Sequence, residues 1–411
     1  MTRPPPSNVV TLYQKWAATP DADDDARQAD IFGKAAPVWI DADEWDEAAI
    51  PARPWLARGY LMRGAVTVVS GPGSAGKSML MIGWCCALAM GLPWHRMTSI
   101  GQINILTYNV EDDANEQRRR LSATLRQFDR SPRDMEGRVM RVGPHATGTL
   151  LRRDPVTGRL SFTAAMRAIE EQIAAAKPDV IILDPLVELH DSEENDNTAL
   201  RSVMAKFRAI AVEHNIAVVL LHHARKGSAG GAGDPDSLRG ASSIVGAARI
   251  VLTVLTMDKD EAQTLGVPIS DRNRYFRVDG AKSNYAPLQD AEWFQRVEYE
   301  LANGERVVAA EPWTPPSVWR DTTPADLNAA LDRIAAGPAP GALYTPTQRG
   351  GSARWCGQAL MDTIGIEEPQ AKNIVSQWLK EGVLIVSQYR HADLRRDVPG
   401  VTVDNAKRPT I

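Results

Sequence analysis

The sequence predicts an α/β fold with a mostly parallel sheet, followed by an antiparallel appendage and a small C-terminal module. Short apolar runs alternate with helical stretches along the middle of the chain, which is typical of a parallel sheet with helical crossovers. The runs are almost continuously apolar, as strands are when helices cover both faces of their sheet. A glycine-rich loop joins the first long run to an apolar helical stretch.

The predicted parallel strands follow one another at regular intervals along the chain. They are AVTVVS, INILTYNV, VIILDP, IAVVLLHH and RIVLTVL. The predicted helices between them are KSMLMIGWCCALAMG, EQRRRLSATLRQF, FTAAMRAIEEQIAAAK and ALRSVMAKFRAIAVEHN. The third helix meets Pro178 directly after Lys177, and proline cannot continue a helix, so this helix stops before the strand VIILD.

After Met257 the pattern indicates antiparallel strands. The pieces are RYFRVDG and WFQRVEYELANGERVVAAEP, and Asn303-Gly304 in the second piece is a strong hairpin signal. The chain then breaks at PWTPPSVW. These boundaries predict an acidic flexible arm over residues 1–50 and an α/β domain over 51–315.

Residues 321–411 predict a winged-helix-like domain, because three helical stretches are followed by the strand VLIVSQYR and a basic turn. Winged helices bind duplex DNA and also dock proteins, and no base-reading signature decides between these uses. In or near the wing we expect three basic residues, Arg390, Arg395 and Arg396. On an exposed helix face we expect Lys372, Asn373 and Gln377.

Composition narrows the class of protein. A formal net charge of −4 over 411 residues excludes a uniformly basic nucleic-acid coat, so a polyanion would be met by a local patch. Three cysteines, two of them adjacent, imply no disulfide framework. The N-terminal residues lack the apolar core of a signal peptide, and no apolar run is long enough to span a bilayer. We therefore expect a cytoplasmic protein without a membrane partner.

The glycine-rich loop has the full phosphate-loop pattern, Gly71-x-x-x-x-Gly76-Lys77-Ser78, between a strand and a helix. Glycines let consecutive backbone N–H groups point at phosphate oxygens, and the helix N-terminus adds positive potential there. Lys77 would bridge the β- and γ-phosphates of ATP, and the Ser78 hydroxyl would bind Mg²⁺. The predicted nucleotide-binding residues are Gly71, Pro72, Gly73, Ser74, Ala75, Gly76, Lys77, Ser78 and Met79.

Three further strand ends carry polar groups suited to ATP hydrolysis. Asp184 ends VIILD, where a carboxylate would hold a Mg²⁺-bound water, although it could instead cap a turn before Pro185. Glu111 follows ILTYNV and would orient the attacking water, with the adjacent Asp112 as the weaker candidate. His222 ends IAVVLL as a neutral hydrogen-bond donor that would sense the γ-phosphate.

Taken together, the ordered motifs GYLMRGAVTVVSGPGSAGKS, YNVEDDANEQRRRL, VIILDPL, VVLLHHARK, LRGASSIVGAARIVL and KSNYAP resemble the RepA-type branch of the RecA-like ATPases. The resemblance covers roughly residues 50–310. It implies a RecA-like P-loop core in a ring-forming, hexameric replicative helicase of a plasmid or phage, or in a related AAA-family ATPase. It also implies Glu111 as catalytic base, Asp184 as Walker B aspartate and His222 as sensor. A replication initiator or primase is the candidate further partner.

The same resemblance implies a basic residue that reaches the nucleotide of the neighbouring subunit. Arg249 and Lys282 are the candidates, and Arg249 is preferred because Lys282-Ser283-Asn284 departs from the Lys-x-Arg that related helicases often carry. The loop after His223 would track single-stranded DNA through phosphate contacts from Arg225, Lys226 and Arg239.

Two functions remain open on these residues. The first is an ATP-driven DNA helicase, and the second is a regulatory or recombination ATPase of the RecA-like type that does not unwind DNA. A net acidic chain without an attached primase or zinc motif keeps the second open.

Overall fold

The computed structural model describes residues 46–142, 148–154, 156–158, 160–192, 196–224, 242–288, 291–348, 353–391 and 395–410. The predictions for most of the acidic arm and for Arg225, Lys226 and Arg239 therefore lie outside the described residues. The chain divides into two compact units. The first contains Met1–Leu255 and Phe276–Pro312, and the second contains Thr256–Tyr275 and Trp313–Ile411.

The elements of the first unit alternate between strand and helix for most of its length. Its strands are β1 (Trp55–Ala57), β2 (Leu61–Met62), β3 (Val66–Gly71), β4 (Ile105–Asn109), β5 (Val139–Val142), β6 (Leu151–Arg153), β7 (Leu160–Phe162), β8 (Val180–Asp184), β9 (Ala217–His223), β10 (Ile250–Thr256), β11 (Tyr275–Ser283), β12 (Glu292–Glu300) and β13 (Arg306–Trp313). Its helices are α1 (Lys77–Met90), α2 (Ala114–Gln127), α3 (Ala164–Ala176), α4 (Asn197–Glu213) and α5 (Ser242–Ala247).

One sheet organises this unit, and within the described residues it has nine strands in the order β13-β12-β11-β10-β3-β9-β8-β4-β5. The six strands from β10 to β5 are parallel to their neighbours. All five predicted parallel strands are among them, which confirms the α/β fold class. The sixth, the edge strand β5, was not predicted from the sequence.

Strand register brings the ends of the central strands together. Ser70 pairs with His222, Gly71 with His223, and Asn109 with Asp184. The carboxyl ends of β3, β9, β8 and β4 therefore lie side by side, where ligands bind in open parallel sheets.

Helices cover both faces of the sheet, which is why its strands are apolar on both sides. Val69, Val219 and Ile182 face the core that contains α1 and the Leu125 end of α2. Val68 and Leu220 face the core that contains α3 and α4. The predicted continuous burial of these strands is thus confirmed.

The antiparallel appendage extends the sheet beyond β10. The predicted hairpin at Asn303-Gly304 joins β12 to β13, and Gly304 has φ +80°, a left-handed conformation that favours glycine. Leu301 N–H donates to the Glu305 carbonyl at 2.8 Å and closes the turn.

The described part of the second unit has four α-helices, and the last three are followed by an antiparallel hairpin. Its elements are α6 (Lys259–Leu265), α7 (Pro324–Ala336), α8 (Cys356–Ile364), α9 (Glu368–Glu381), β14 (Leu384–Arg390) and β15 (Asp397–Val403). Leu331, Leu360, Ile374 and Trp378 from α7, α8 and α9 share one apolar core.

The segment Thr256–Tyr275, which lies between β10 and β11 in the sequence, is part of the second unit. Its helix α6 packs on α9, and the Asn373 amide donates to the Thr264 carbonyl. Asn373 therefore does not lie on a free helix face as expected, because a distant segment covers it. Lys372 pairs with Glu368, and Gln377 with Glu381, one turn away on the same helix.

None of the helices in the described part of the chain combines the length and the apolar character needed to cross a bilayer.

Candidate functional site

The glycine-rich loop connects β3 to α1 at the carboxyl edge of the sheet, and close neighbours fix its glycines. A Cβ atom on Gly71 would lie 2.2 Å from the Val254 carbonyl oxygen of β10. Gly76 has φ +113°, and a Cβ atom there would lie 3.3 Å from the Phe276 ring of β11. A larger residue at Gly71 would not fit without moving β10, and one at Gly76 would strain the backbone and displace the Phe276 ring slightly.

Helix α1 begins without a side-chain cap. Its N-cap residue is Gly76, no side chain accepts a hydrogen bond at the cap, and its first turn contains no acidic residue. The first N–H groups of a helix lack partners within the helix and carry partial positive charge. The start of α1 is therefore suited to an anion such as a nucleotide phosphate.

Lys77 is held inside the loop. Its Nζ donates to the carbonyls of Gly71 and Pro72 at 2.8 and 2.9 Å and lies 3.2 Å from His223 Nδ1. Burial lowers the pKa of Lys77 to about 8, against the opposing effects of the Asp184 and Glu111 carboxylates. Lys77 is therefore mostly charged at neutral pH and stands where the phosphates of a nucleotide would lie.

Asp184 lies beside Lys77 and Ser78 and is 4% exposed. Burial raises its pKa to about 6, while a hydrogen bond with Ser78 lowers it. Its Oδ2 accepts from Asn109 Nδ2 at 3.4 Å, whereas its Oδ1 has no hydrogen-bond partner within the described residues. A buried carboxylate with an unpaired oxygen beside a serine hydroxyl fits a hard divalent cation.

The described residues contain no cluster of three or more His, Cys, Asp or Glu side chains suited to a metal ion. A magnesium ion here would thus depend on Ser78, Asp184, water and phosphate oxygens. This is the usual way in which proteins bind magnesium next to a nucleotide.

The two acidic candidates after β4 differ in their surroundings. The Glu111 side chain is 48% exposed, and its Oε1 lies 3.7 Å from His223 Nε2. Asp112 is paired with Arg120 at 3.1 Å, and burial raises its pKa. Glu111 is therefore the carboxylate available to a water molecule, and Asp112 is engaged in an ion pair.

The two histidines at the end of β9 point to opposite faces of the sheet. His223 contacts both Lys77 and Glu111, so it touches the phosphate loop directly. His222, the sequence-predicted sensor, is 6% exposed and adjoins Ser70 on the neighbouring strand. Burial, with contributions from His223, Lys77 and His190, lowers the pKa of His222 to about 4, so its ring is neutral. His223 was not among the site residues predicted from the sequence.

Arg296 on β12 supports the loop from the appendage. Its Nη2 donates to the carbonyls of Ser74 and Ala75 at 3.0 and 2.8 Å. Its guanidinium lies 5.0 Å from the centre of the Phe276 ring. No sequence motif predicts this contact, because 222 sequence positions separate Arg296 from Ser74.

Arg249 and Lys282 lie near the amino-terminal end of β3, at the opposite end of the central strands from the phosphate loop. Arg249 directly precedes β10, and its N–H donates to the Val66 carbonyl at the start of β3. Five residues of strand β3, about 16 Å, separate this point from the phosphate loop. Neither residue is placed to reach the loop of its own subunit.

Their own contacts distinguish these two candidates. Lys282 Nζ donates to the carbonyls of Val245, Gly246 and Ala248 at 2.8 to 3.2 Å, which satisfies the carboxyl end of α5. Arg249 is exposed, and its guanidinium lies 5.8 Å from the Tyr285 ring centre. Lys282 is thus engaged in the fold, whereas Arg249 projects from it.

A comparison with protein families agrees with this geometry. Residues 33–229 match the family model AAA_25, described as an AAA domain. The matched range includes the phosphate loop, Glu111, Asp184 and both histidines of β9. This part of the chain is a P-loop ATPase domain of the RecA-like/AAA type, a class that uses ATP and magnesium.

Proposed function

We propose that the protein is a RecA-like motor, a hexameric DNA helicase of phage or plasmid replication that hydrolyses ATP between subunits and moves along single-stranded DNA. The observation that carries the proposal is the position of Arg249. An exposed arginine stands about 16 Å from the phosphate loop of its own chain, along strands of about 3.3 Å per residue. An arginine so placed serves a nucleotide only if it belongs to a neighbouring subunit.

Within one site, each residue has a separate task. Lys77 and the first N–H groups of α1 bind the phosphates, and Asp184 with Ser78 would hold magnesium, which would offset the negative charge of the nucleotide. Glu111 accepts a proton from the attacking water, since its carboxylate is half exposed and has no arginine partner among the described residues. His223 lies between Glu111 and Lys77 and holds the two side chains at a fixed separation.

The arginine of the next subunit completes this arrangement. A guanidinium that approaches only when the interface closes stabilises charge in the transition state and links hydrolysis to subunit movement. A ring with identical head-to-tail contacts gives every subunit both roles. Successive closure would then move the basic segment with Arg225, Lys226 and Arg239 along one DNA strand.

Subunit mixing tests whether the site is shared. Lys77→Ala lacks a working phosphate loop but retains Arg249, and Arg249→Ala has the reverse defect. We expect neither variant to hydrolyse ATP alone. An equal mixture should recover activity at roughly a quarter of its interfaces, because random mixing pairs an intact loop with an intact arginine that often.

A matched control for Arg249 is Arg53→Ala, since Arg53 lies 5.2 Å from the centre of the same Tyr285 ring. This variant should retain turnover. If Arg249→Ala alone hydrolyses ATP at the wild-type rate, the shared site is wrong.

Motor activity needs separate measurements. ATP turnover is measured with and without single-stranded DNA, and strand displacement is measured on a forked duplex. We expect DNA-stimulated turnover and displacement, both lost in Lys77→Ala. Turnover without displacement would favour the regulatory or recombination ATPase.

A further inference from the structure

Two buried histidines, His190 and His222, lie on the face of the sheet that α4 covers, away from Lys77. We call His190 and His222 the buried histidine pair; they are 4% and 6% exposed. His222 ends β9, and His190 directly follows the short helix Leu186–Leu189, which packs against β9. The histidine that contacts Lys77 is His223, which is not part of this pair.

The pair lies among polar atoms that lack partners. His190 Nε2, His222 Nδ1, Ser70 Oγ and Ser192 Oγ are all buried without a hydrogen bond to any described residue. Ser70 and His222 are register partners on adjacent strands, and Ser192 follows His190 by two residues. Leaving several such atoms unpaired would cost a few kcal/mol in all, so a polar connection among them is expected.

The tautomer of His190 follows from its one hydrogen bond. The Ser192 N–H donates to His190 Nδ1 at 3.3 Å, so this nitrogen carries no proton. Burial lowers the pKa of His190, which keeps the ring neutral. A neutral imidazole has one N–H group, so the proton of His190 is on Nε2, the unpaired nitrogen.

We propose that His190 is a positioning residue: its Nε2–H donates to a buried water that in turn donates to His222 Nδ1 and so fixes His222 in the Nε2–H tautomer. The Ser70 hydroxyl is the third partner of this water, and buried waters typically make about three hydrogen bonds. The inference rests on the proposed function, because it concerns His222, which the sequence predicts to sense the γ-phosphate.

The consequence concerns the state of His222 before ATP binds. With Nδ1 occupied as an acceptor, the donor of His222 is always Nε2–H. As the predicted sensor, the ring would then donate to a phosphate oxygen without a tautomer change. An outer partner that fixes a histidine tautomer is common at metal sites, where its loss typically lowers activity about tenfold or more.

The direct test is the tautomer itself. The full-length protein is labelled with ¹⁵N-histidine, and long-range ¹H–¹⁵N spectra are recorded without nucleotide. The chain has seven histidines, and a His222→Gln sample assigns the His222 signals. We expect the chemical shifts and coupling pattern of an Nε2–H tautomer for His222. An Nδ1–H pattern in the wild type overturns the proposal without the need for any variant.

Two variants of His190 separate positioning from packing. His190→Gln retains an amide N–H donor near the place of Nε2, whereas His190→Phe retains a ring without a donor. We expect His222 to remain Nε2–H in the Gln variant and to become a mixture in the Phe variant. In the Phe variant kcat should fall about tenfold with little change in KM for ATP, and the Gln variant should recover most of this loss.

An unchanged His222 tautomer in a folded His190→Phe protein would refute the connection. Because the spectra need no nucleotide, they remain informative if the protein proves not to be a helicase. Failure of the subunit-mixing test would refute the shared site and leave the histidine result standing.

Discussion

The polar side chains at the two ends of the central strands differ in whether they have hydrogen-bond partners. At the amino edge, Asp179 accepts from Arg63 and from the Asn104 N–H at 2.7 Å. Arg63 also donates to the Asn215 carbonyl at 2.9 Å. At the carboxyl edge, by contrast, Asp184 Oδ1 and His222 Nδ1 have no partner among the described residues.

This difference separates stability from function within one sheet. Arg63 lies just before β3 and Asp179 just before β8, and their backbone partners Asn215 and Asn104 lie just before β9 and β4. The pair therefore links the starts of four strands. At the end of β8, by contrast, the buried Asp184 Oδ1 has no hydrogen-bond partner among the described residues. This lowers the stability of the folded protein and favours the binding of a ligand. Functional sites commonly sacrifice stability in this way.

The largest effect should come from Asp184→Asn. We expect ATP turnover to fall about a thousandfold, because the several kcal/mol of charge stabilisation that the metal supplies depend on this carboxylate. The nucleotide-free protein should become more stable by about 1 kcal/mol, since a buried charge is removed. Turnover assays and chemical denaturation measure the two effects. A fall in both activity and stability would contradict the division between the edges.

The matched change at the amino edge is Asp179→Asn. We expect the free energy of unfolding to fall by about 1.5 kcal/mol, because Arg63 loses a charged hydrogen-bond partner in a partly buried setting. Turnover per folded molecule should stay unchanged. The control is Asp260→Asn on α6, an exposed residue whose loss should change stability by about 0.5 kcal/mol at most. Loss of turnover in folded Asp179→Asn would link the two edges functionally.

His222 should make stability depend on pH. Its pKa is about 4 in the folded protein and near the usual 6.5 in the unfolded chain. Between these values the unfolded chain binds a proton that the folded protein does not, so stability falls as pH drops. From pH 7 to pH 5 the expected loss is about 2 kcal/mol. Denaturation of wild type and His222→Gln at both pH values measures it, and the variant should lack this part of the slope.

The smallest effect concerns Arg296, which supports the loop without touching the nucleotide. Arg296→Met removes its bonds to Ser74 and Ala75 while keeping much of the contact with Phe276. Nucleotide affinity should fall about tenfold, equivalent to one or two hydrogen bonds to a charged group. Titration with a fluorescent nucleotide measures it. Arg306→Met, an exposed site on β13, should bind as the wild type does.

Local patterns predicted the parallel strands, the helices around them and the phosphate loop. Each depends on residues close in sequence, such as the apolar run Val180–Asp184 or the turn Asn303-Gly304. Strand ends also predicted which carboxylates surround Lys77, because parallel strands end at one edge.

Features that depend on which face a residue occupies, or on distant segments, were not predictable. Two adjacent histidines look equivalent in sequence, yet strand alternation sends His223 to Lys77 and His222 to the opposite face. Arg296 comes to the loop only through the order of strands β12, β11 and β10 in the sheet. The packing of α6 on α9 likewise joins segments more than a hundred residues apart in sequence.

The segment Thr256–Tyr275 has a practical consequence for dissecting the molecule. Because it belongs to the second unit, the chain passes between the units at three points, near residues 255, 275 and 312. A fragment beginning at 313 would leave the α6-facing side of α9 bare, and a fragment ending at 312 would carry α6 without its support. A stable second unit therefore calls for residues 256–275 to be fused to 313–411, and the first unit for a short linker in place of that excursion.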